Sequence, residues 1–337
     1  MRSRVIFGCS GPVLMPEERN FFRDVQPWGF ILFSRNVVDK SQLVRLVSAL
    51  RDVIADPRAP VLIDQEGGRV ARLNPPIWAN RPPAATLGRL HEVSHDVACE
   101  AVYLNARLIA ADLAELGINV NCTPVLDLPV AGSHDVIGDR AFGGDSALVV
   151  ELGRIVIDGM LEGGVLPVMK HIPGHGRAAA DSHLALPRVT VAADILSATD
   201  FVPFRCLNHC PLAMTAHVVY EAIDAERPAT TSPRVIRRVI RGEIGFEGLL
   251  MSDDISMKAL SGSLSARAKG TLFAGCDVVL HCSGNMEEMK EVAAEAKSME
   301  GIEFERAERA LARLQAPAAF DQERASRRLT ELLGSQA

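Results

Sequence analysis

Short apolar runs recur along the chain, each ending in polar or glycine-rich residues and followed by a stretch of helical periodicity. They are "RVIFGCSG", "GFILFSRN", "PVLIDQEGG", "INVNCTPVLDL", "VLPVMKHIPGHG", "PLAMTAHVVY", "GLLMSDDISM" and "CDVVLHCSG". Amphipathic stretches over residues 41–54, 96–116, 147–161 and 233–242 lie between them. Strands rich in Val, Ile and Leu that alternate with helices indicate a parallel sheet buried on both faces. Eight such units predict an α/β fold, a single-domain TIM-like (β/α)8 barrel, rather than an open doubly wound sheet. Residues 301–337 read as a helical C-terminal tail on one catalytic domain spanning 1–337.

The polar residues sharpen that choice. Six of the eight runs carry a charged or polar cluster at the C-terminal end: Asp64, Asp127, Lys170 with His171, His217, Asp253 with Asp254, and His281. In a barrel these ends converge on one face, where the active sites of this fold lie. An open sheet gathers only those near its switch point.

Composition narrows the function classes. With 48% hydrophobic and 23% charged residues the chain has the make-up of a soluble globular protein. Its net charge of −6 argues against a nucleic-acid partner. The seven cysteines form no CxxC pair and several sit in apolar runs, a usage that suits a reducing compartment. The basic N-terminus followed by Val5–Gly8 is short of the roughly 7–15 apolar residues of a signal peptide, so a first strand is expected there. No run approaches the ~18 residues of a membrane span. The cytoplasm is the expected location, with no membrane partner.

Two motifs suggest metal and are better explained otherwise. "HEVSH" (His91, Glu92, His95) fits the zinc-peptidase pattern, but no third ligand is obvious nearby, and a solvated helix entry accounts for it. "CLNHC" (Cys206, His209, Cys210) has no second half at structural-zinc spacing.

The stretch "VMKHIPGHGRAAADSHLALP" is different. Pro173, Gly174 and Gly176 exclude a helix, so His171 and His175 cannot share a helical face. The segment lacks the Lys-Ser/Thr ending of a phosphate loop. Lys170 stands at the end of a buried strand, where a charge is costly unless it binds something. Farther on, Asp181 two residues before His183 lets a carboxylate orient an imidazole, as in acid–base catalysis. "LLMSDDISM" adds Asp253 and Asp254, of which one is expected to be held ionised as nucleophile, base or metal ligand; the plainer alternative is a helix cap at Asp254 or Ser256. "LIDQEGGRVARL" offers Asp64, Arg69 and Arg72 to sugar hydroxyls, although Glu66 and Arg69 could form a structural ion pair. "IGDRAFGGD" adds Arg140 with the same ambiguity. Two Arg and a Lys already balance the carboxylates, so no metal and no other cofactor is expected.

"DQEGGRV", "PVLDL", "IGDRAFG", "KHIPGHGRAAADSHLALP", "TAHVVY" and "SDDISM", in this order and spacing, resemble the NagZ-type β-N-acetylglucosaminidases of glycoside hydrolase family 3. The likeness runs from about residue 4 to 285. It implies a TIM-like barrel that removes a non-reducing β-linked N-acetylglucosamine from peptidoglycan fragments, N-acetylglucosaminyl-1,6-anhydromuramyl peptides, during cell-wall recycling. Carried over by motif, Asp253 is the nucleophile, His183 the acid/base and Asp181 its orienting partner. Asp64, Arg72, Arg140, Lys170 and His171 line the sugar subsite. Ile255 and "LALP" after His183 depart from the family pattern without touching a reacting group. The partner implied is a small muropeptide-type saccharide. A His donor tolerates phosphate better than a carboxylate does, so a β-N-acetylglucosaminide phosphorylase is the alternative, and a non-catalytic sugar-binding barrel a more distant one.

Overall fold

The eight apolar runs become the eight strands of a closed parallel barrel. In the computed structural model, which describes residues 1–132, 135–178 and 186–334, they are β1 (Ser3–Gly8), β2 (Pro27–Leu32), β3 (Val61–Ile63), β4 (Val120–Asn121), β5 (Leu166–Ile172), β6 (Leu212–Thr215), β7 (Leu249–Asp254) and β8 (Val278–His281). Each strand pairs in parallel with its neighbours in chain order, and β8 closes on β1 through Val5 opposite Val279.

The period-2 alternation of each strand sorts its residues into two cores. Ile6, Leu62, Leu166, Val168, Leu212, Met214, Leu249, Met251, Val278 and Leu280 belong to one buried cluster, which fills the barrel. Val5, Phe7, Val61, Ile63, Met169, Ala213, Leu250 and Val279 belong to a second, between strands and helices. Most strands are therefore apolar on both faces, as continuous Val/Ile/Leu runs require; β4 is the exception, its buried Asn121 bonding the backbone of Gln65.

Helices at Lys40–Val53, His95–Glu115 and Ser146–Glu162 occupy three of the four amphipathic stretches. The fourth, Val235–Glu243, is wound as a wider π-helix that buries Val235, Ile236, Val239 and Ile240. Asp39, Ser94 and Asp145 cap the three α-helices by accepting from first-turn amides. After residue 300 the chain forms two helices, Gly301–Leu311 and Gln322–Gly334. The first adds Ala307, Ala310 and Leu311 to the barrel-filling cluster. Its Arg306 donates to Asp277 just before β8, and Arg309 to the Glu247 carbonyl just before β7, so it closes the amino-terminal end of the barrel. Gln322–Gly334 packs on His95–Glu115. Among the described residues no helix is long and apolar enough to cross a membrane. Cys9, Cys122, Cys210 and Cys276 are buried and unpaired, as their apolar settings imply.

Candidate active site

Strand alternation decides which polar side chains reach the barrel axis. Leu62 faces the barrel interior, and so, two residues on, does Asp64. Val168 is followed by Lys170, and Leu249 and Met251 by Asp253. Asp64, Lys170 and Asp253 line a cavity of about 300 Å³ at the C-terminal mouth, together with Arg72, Arg140 and His171. A larger groove of about 570 Å³ is lined by Leu186, Leu260 and Phe273, and Glu226 is its one carboxylate among the described residues.

One side of the mouth is a chain of alternating charges. Arg72 donates to Asp64 Oδ2 at 3.0 Å, and Lys170 Nζ to Asp64 Oδ1 at 2.9 Å. The same Nζ lies 2.7 Å from Glu66 Oε1, which also takes Arg140 Nη2 at 2.8 Å, while Arg140 Nε donates to Oε2 at 2.9 Å. Burial opposes ionisation of Asp64 and Glu66, but Lys170, with Arg72 for Asp64 and Arg140 for Glu66, holds both carboxyls below their ordinary range. Burial likewise works against Lys170 carrying charge, and Asp64 and Glu66 outweigh it, so its ammonium is held above its usual range. Every ion is matched, which is what makes so many charges tolerable in a buried wall.

Asp127 organises the next turn. Its Oδ2 accepts from His171 Nδ1 at 2.7 Å, and its Oδ1 from the backbone amide of His175 at 2.6 Å. The His171 ring is thereby fixed with Nε2 as the atom able to meet a ligand. His175 packs edge-on against His171, its centroid 5.6 Å away, and burial followed by the charge of His171 pushes its pKa down to about 4. The chain makes this bend because Gly174 takes φ +136° and a Cβ on Gly176 would lie 1.9 Å from the Leu128 carbonyl oxygen.

The two adjacent aspartates have different surroundings. Asp254 spends its carboxylate on its own turn, accepting from the amide and hydroxyl of Ser256 and from the amide of Cys282. Its carbonyl accepts from Nε2 of the buried His217 at 3.0 Å, and Thr230 sits 2.7 Å from the other ring nitrogen. Asp253 accepts from the Asp254 amide at 2.8 Å. Burial raises its pKa, but His217, His171, the Asp254 amide and Lys170 together bring it below the ordinary carboxylate value. An ionised carboxylate lining a sugar-sized cavity, within the field of Lys170, is suited to attack an electrophilic carbon.

The profile of the glycosyl hydrolase family 3 N-terminal domain matches residues 14–316. The chain belongs to this family. It is 40% identical over 283 residues to a β-hexosaminidase of Alkalilimnicola ehrlichii, covering 83% of this chain and 80% of that one. It superposes on the crystal structure of native NagZ from Neisseria gonorrhoeae with a TM-score of 0.88, at 29% identity and 98% coverage of both chains. A family 3 β-N-acetylglucosaminidase from Paenibacillus sp. gives 0.82 at 30% identity, over 99% of this chain and 62% of that one. The protein is thus a glycoside hydrolase of the β-hexosaminidase type, and family 3 enzymes retain anomeric configuration.

In this family 3 barrel the five residues assigned by motif to a sugar subsite, Asp64, Arg72, Arg140, Lys170 and His171, do meet in one cavity. Asp181 and His183 lie outside the described residues. Arg69 is not the partner of Glu66: it donates to Asp139 at 2.7 Å and to the carbonyls of Asp135, Val136 and Ile137, because its stem points along the neighbouring loop rather than into the barrel. Glu66 pairs instead with Arg140 and Lys170. Sequence reasoning named Glu66 only as a partner for Arg69, and passed over Asp127 as the support of His171 and the hydrogen bond between His217 and Thr230. Only Asp127 and His217 had a signal, their place at strand ends.

Proposed function

We propose that the protein is a retaining exo-β-N-acetylglucosaminidase acting on peptidoglycan fragments, N-acetylglucosaminyl-1,6-anhydromuramyl peptides, in cell-wall recycling. In this reading Asp253 attacks the anomeric carbon, and His183, oriented by Asp181, protonates the departing oxygen and then activates water. Asp64, Arg72, Arg140, Lys170 and His171 bind the sugar. The observation that carries it is the setting of Asp253: an interior-facing, ionised carboxylate in a cavity of about 300 Å³, with the oxygens of its neighbour Asp254 taken up by the turn. Such a volume is at the small end for ligand sites and suits one terminal sugar rather than a chain threaded through a cleft. Retention places a carboxylate on one face of the ring and a proton donor on the other. An amino sugar is supported by the gonococcal relative, one structure of which is a complex with N-trifluoroacetyl-D-glucosamine.

Turnover of chromogenic β-N-acetylglucosaminide, β-glucoside and β-N-acetylgalactosaminide, with and without phosphate, tests the reading. The N-acetylglucosaminide is expected to be cleaved fastest, to free N-acetylglucosamine. Release of the 1-phosphate would make the enzyme a phosphorylase, and preference for the glucoside would overturn the substrate. A fluorinated glycoside is expected to label Asp253; a label on Asp254 would overturn the assignment.

A further inference from the structure

We propose that His91, His95 and Glu151 form a surface binding site for a divalent transition ion of the zinc class, built across three helices and separate from the barrel mouth. In sequence the two histidines form an i, i+4 pair that calls for one helix. The structure breaks the chain between them. Ser94 is extended (φ −160°, ψ 127°), ending the helix Ala84–Val93 and capping His95–Glu115 by accepting from the Val97 amide. The break brings the two rings edge-on, with centroids 5.5 Å apart.

The third ligand comes from a distant part of the chain. Glu151, on Ser146–Glu162, lies 2.7 Å from His95 Nε2 through Oε1 and 3.9 Å from His91 Nε2 through Oε2. One ligand atom from each of the three residues falls within 4.8 Å of the others. Ligands about 2.0–2.2 Å from a tetrahedral ion lie roughly 3.3 Å apart, so closure needs only rotation of exposed side chains. The other nitrogen of His95 lies 3.1 Å from Asp96 Oδ1, the carboxylate partner that metal-bound histidines commonly have, and it fixes the tautomer that presents Nε2. The Cys99 thiol stands 3.8 Å from that Nε2 but outside the cluster, and the two imidazoles themselves favour an ion of the zinc class over hard cations such as Mg²⁺.

Glu92, the would-be base of a zinc peptidase, is exposed and outside the cluster, and none of these residues lines the barrel mouth. The ion would tie three successive helices together and stabilise the fold by mass action, without entering the reaction.

Zn²⁺ titration of the chelator-stripped protein against a colorimetric indicator, with thermal melting in parallel, tests the site. Wild type is expected to bind one equivalent more than His91→Ala or His95→Ala, and to lose its Zn²⁺-dependent rise in Tm in either variant. Glu151→Gln should weaken binding at least about tenfold, and basal hydrolysis should stay at the wild-type rate in all three, which also shows that they fold. Equal stoichiometry and equal Tm response in wild type and both histidine variants would overturn the proposal. So would Zn²⁺ uptake lost only in Asp181→Asn or His183→Ala.

Discussion

Lys170 and Glu66 show how one side chain can be a neighbour's condition of existence. Glu66 Oε1 takes hydrogen bonds from both Lys170 and Arg140, so Glu66→Gln leaves two buried cations to share what remains. Breaking a buried ion pair from one side costs about 3–5 kcal/mol, and a thermal melt should show that loss even though Glu66 is given no role toward the sugar. A melt unchanged from wild type would mean the wall is less tightly coupled than its distances suggest. The proposed acid/base makes a sharper prediction. His183→Ala should lose on the order of 10²–10⁴-fold on the natural disaccharide. A substrate with a very good leaving group should keep its first step and be rescued by azide in the second. Equal losses on good and poor leaving groups would remove His183 from the chemistry and direct attention to His175. Asp253→Asn should lose roughly 10³-fold or more on both, because no leaving group replaces a nucleophile.

At the scale of elements, the turn after β7 is the part that positions the reacting carboxylate. Asp254 binds that turn to Ser256 and to the Cys282 amide after β8, while His217 from beyond β6 holds its carbonyl. Three consecutive strand ends are therefore locked behind Asp253. Asp254→Asn can keep fewer of these bonds, since an amide offers one acceptor oxygen in place of two. It should lower kcat while a fluorinated glycoside still labels Asp253; loss of labelling with a normal fold would instead make Asp254 the nucleophile. The bend after β5 depends on backbone contact. A Cβ on Gly176 would fall 1.9 Å from the Leu128 carbonyl, so Gly176→Ala has to move one strand end away from another and should lower both activity and Tm.

Over the whole molecule these groups set the response to acid. Asp64, Glu66, Asp127 and Asp253 have folded pKa values below their ordinary ones, so the stability they bring is present above about pH 4 and is lost as pH falls below it. His175, at about 4, and His217, also lowered by burial, act at higher pH. The unfolded chain binds their protons from about pH 6.5 downward while the fold refuses them, so stability should decline across roughly pH 6.5 to 4. For His175 alone the shift corresponds to about 3 kcal/mol by pH 4. Asp277, raised by burial, works the other way. Urea melts from pH 7 to 4 should show this early decline, and His175→Asn should flatten it. An equal slope in the variant would assign the decline to other groups.

The alternation of apolar and polar residues, read alone, determined the eight strands, their order and the face on which Asp64, Lys170 and Asp253 would gather, because strand periodicity is local and a parallel barrel points all its strand ends one way. The motif spacings carried the family, and with it the five residues that line the cavity at the mouth. What lay beyond the sequence was partnership between distant positions. Glu66 with Arg140 spans 74 positions and His95 with Glu151 spans 56, and no local pattern records either. Arg69 and Arg140 looked alike on paper. The folded loops sent one along the surface to Asp139 and the other into the wall beside Lys170, since a charge settles wherever the closed chain leaves an unmatched opposite charge within reach.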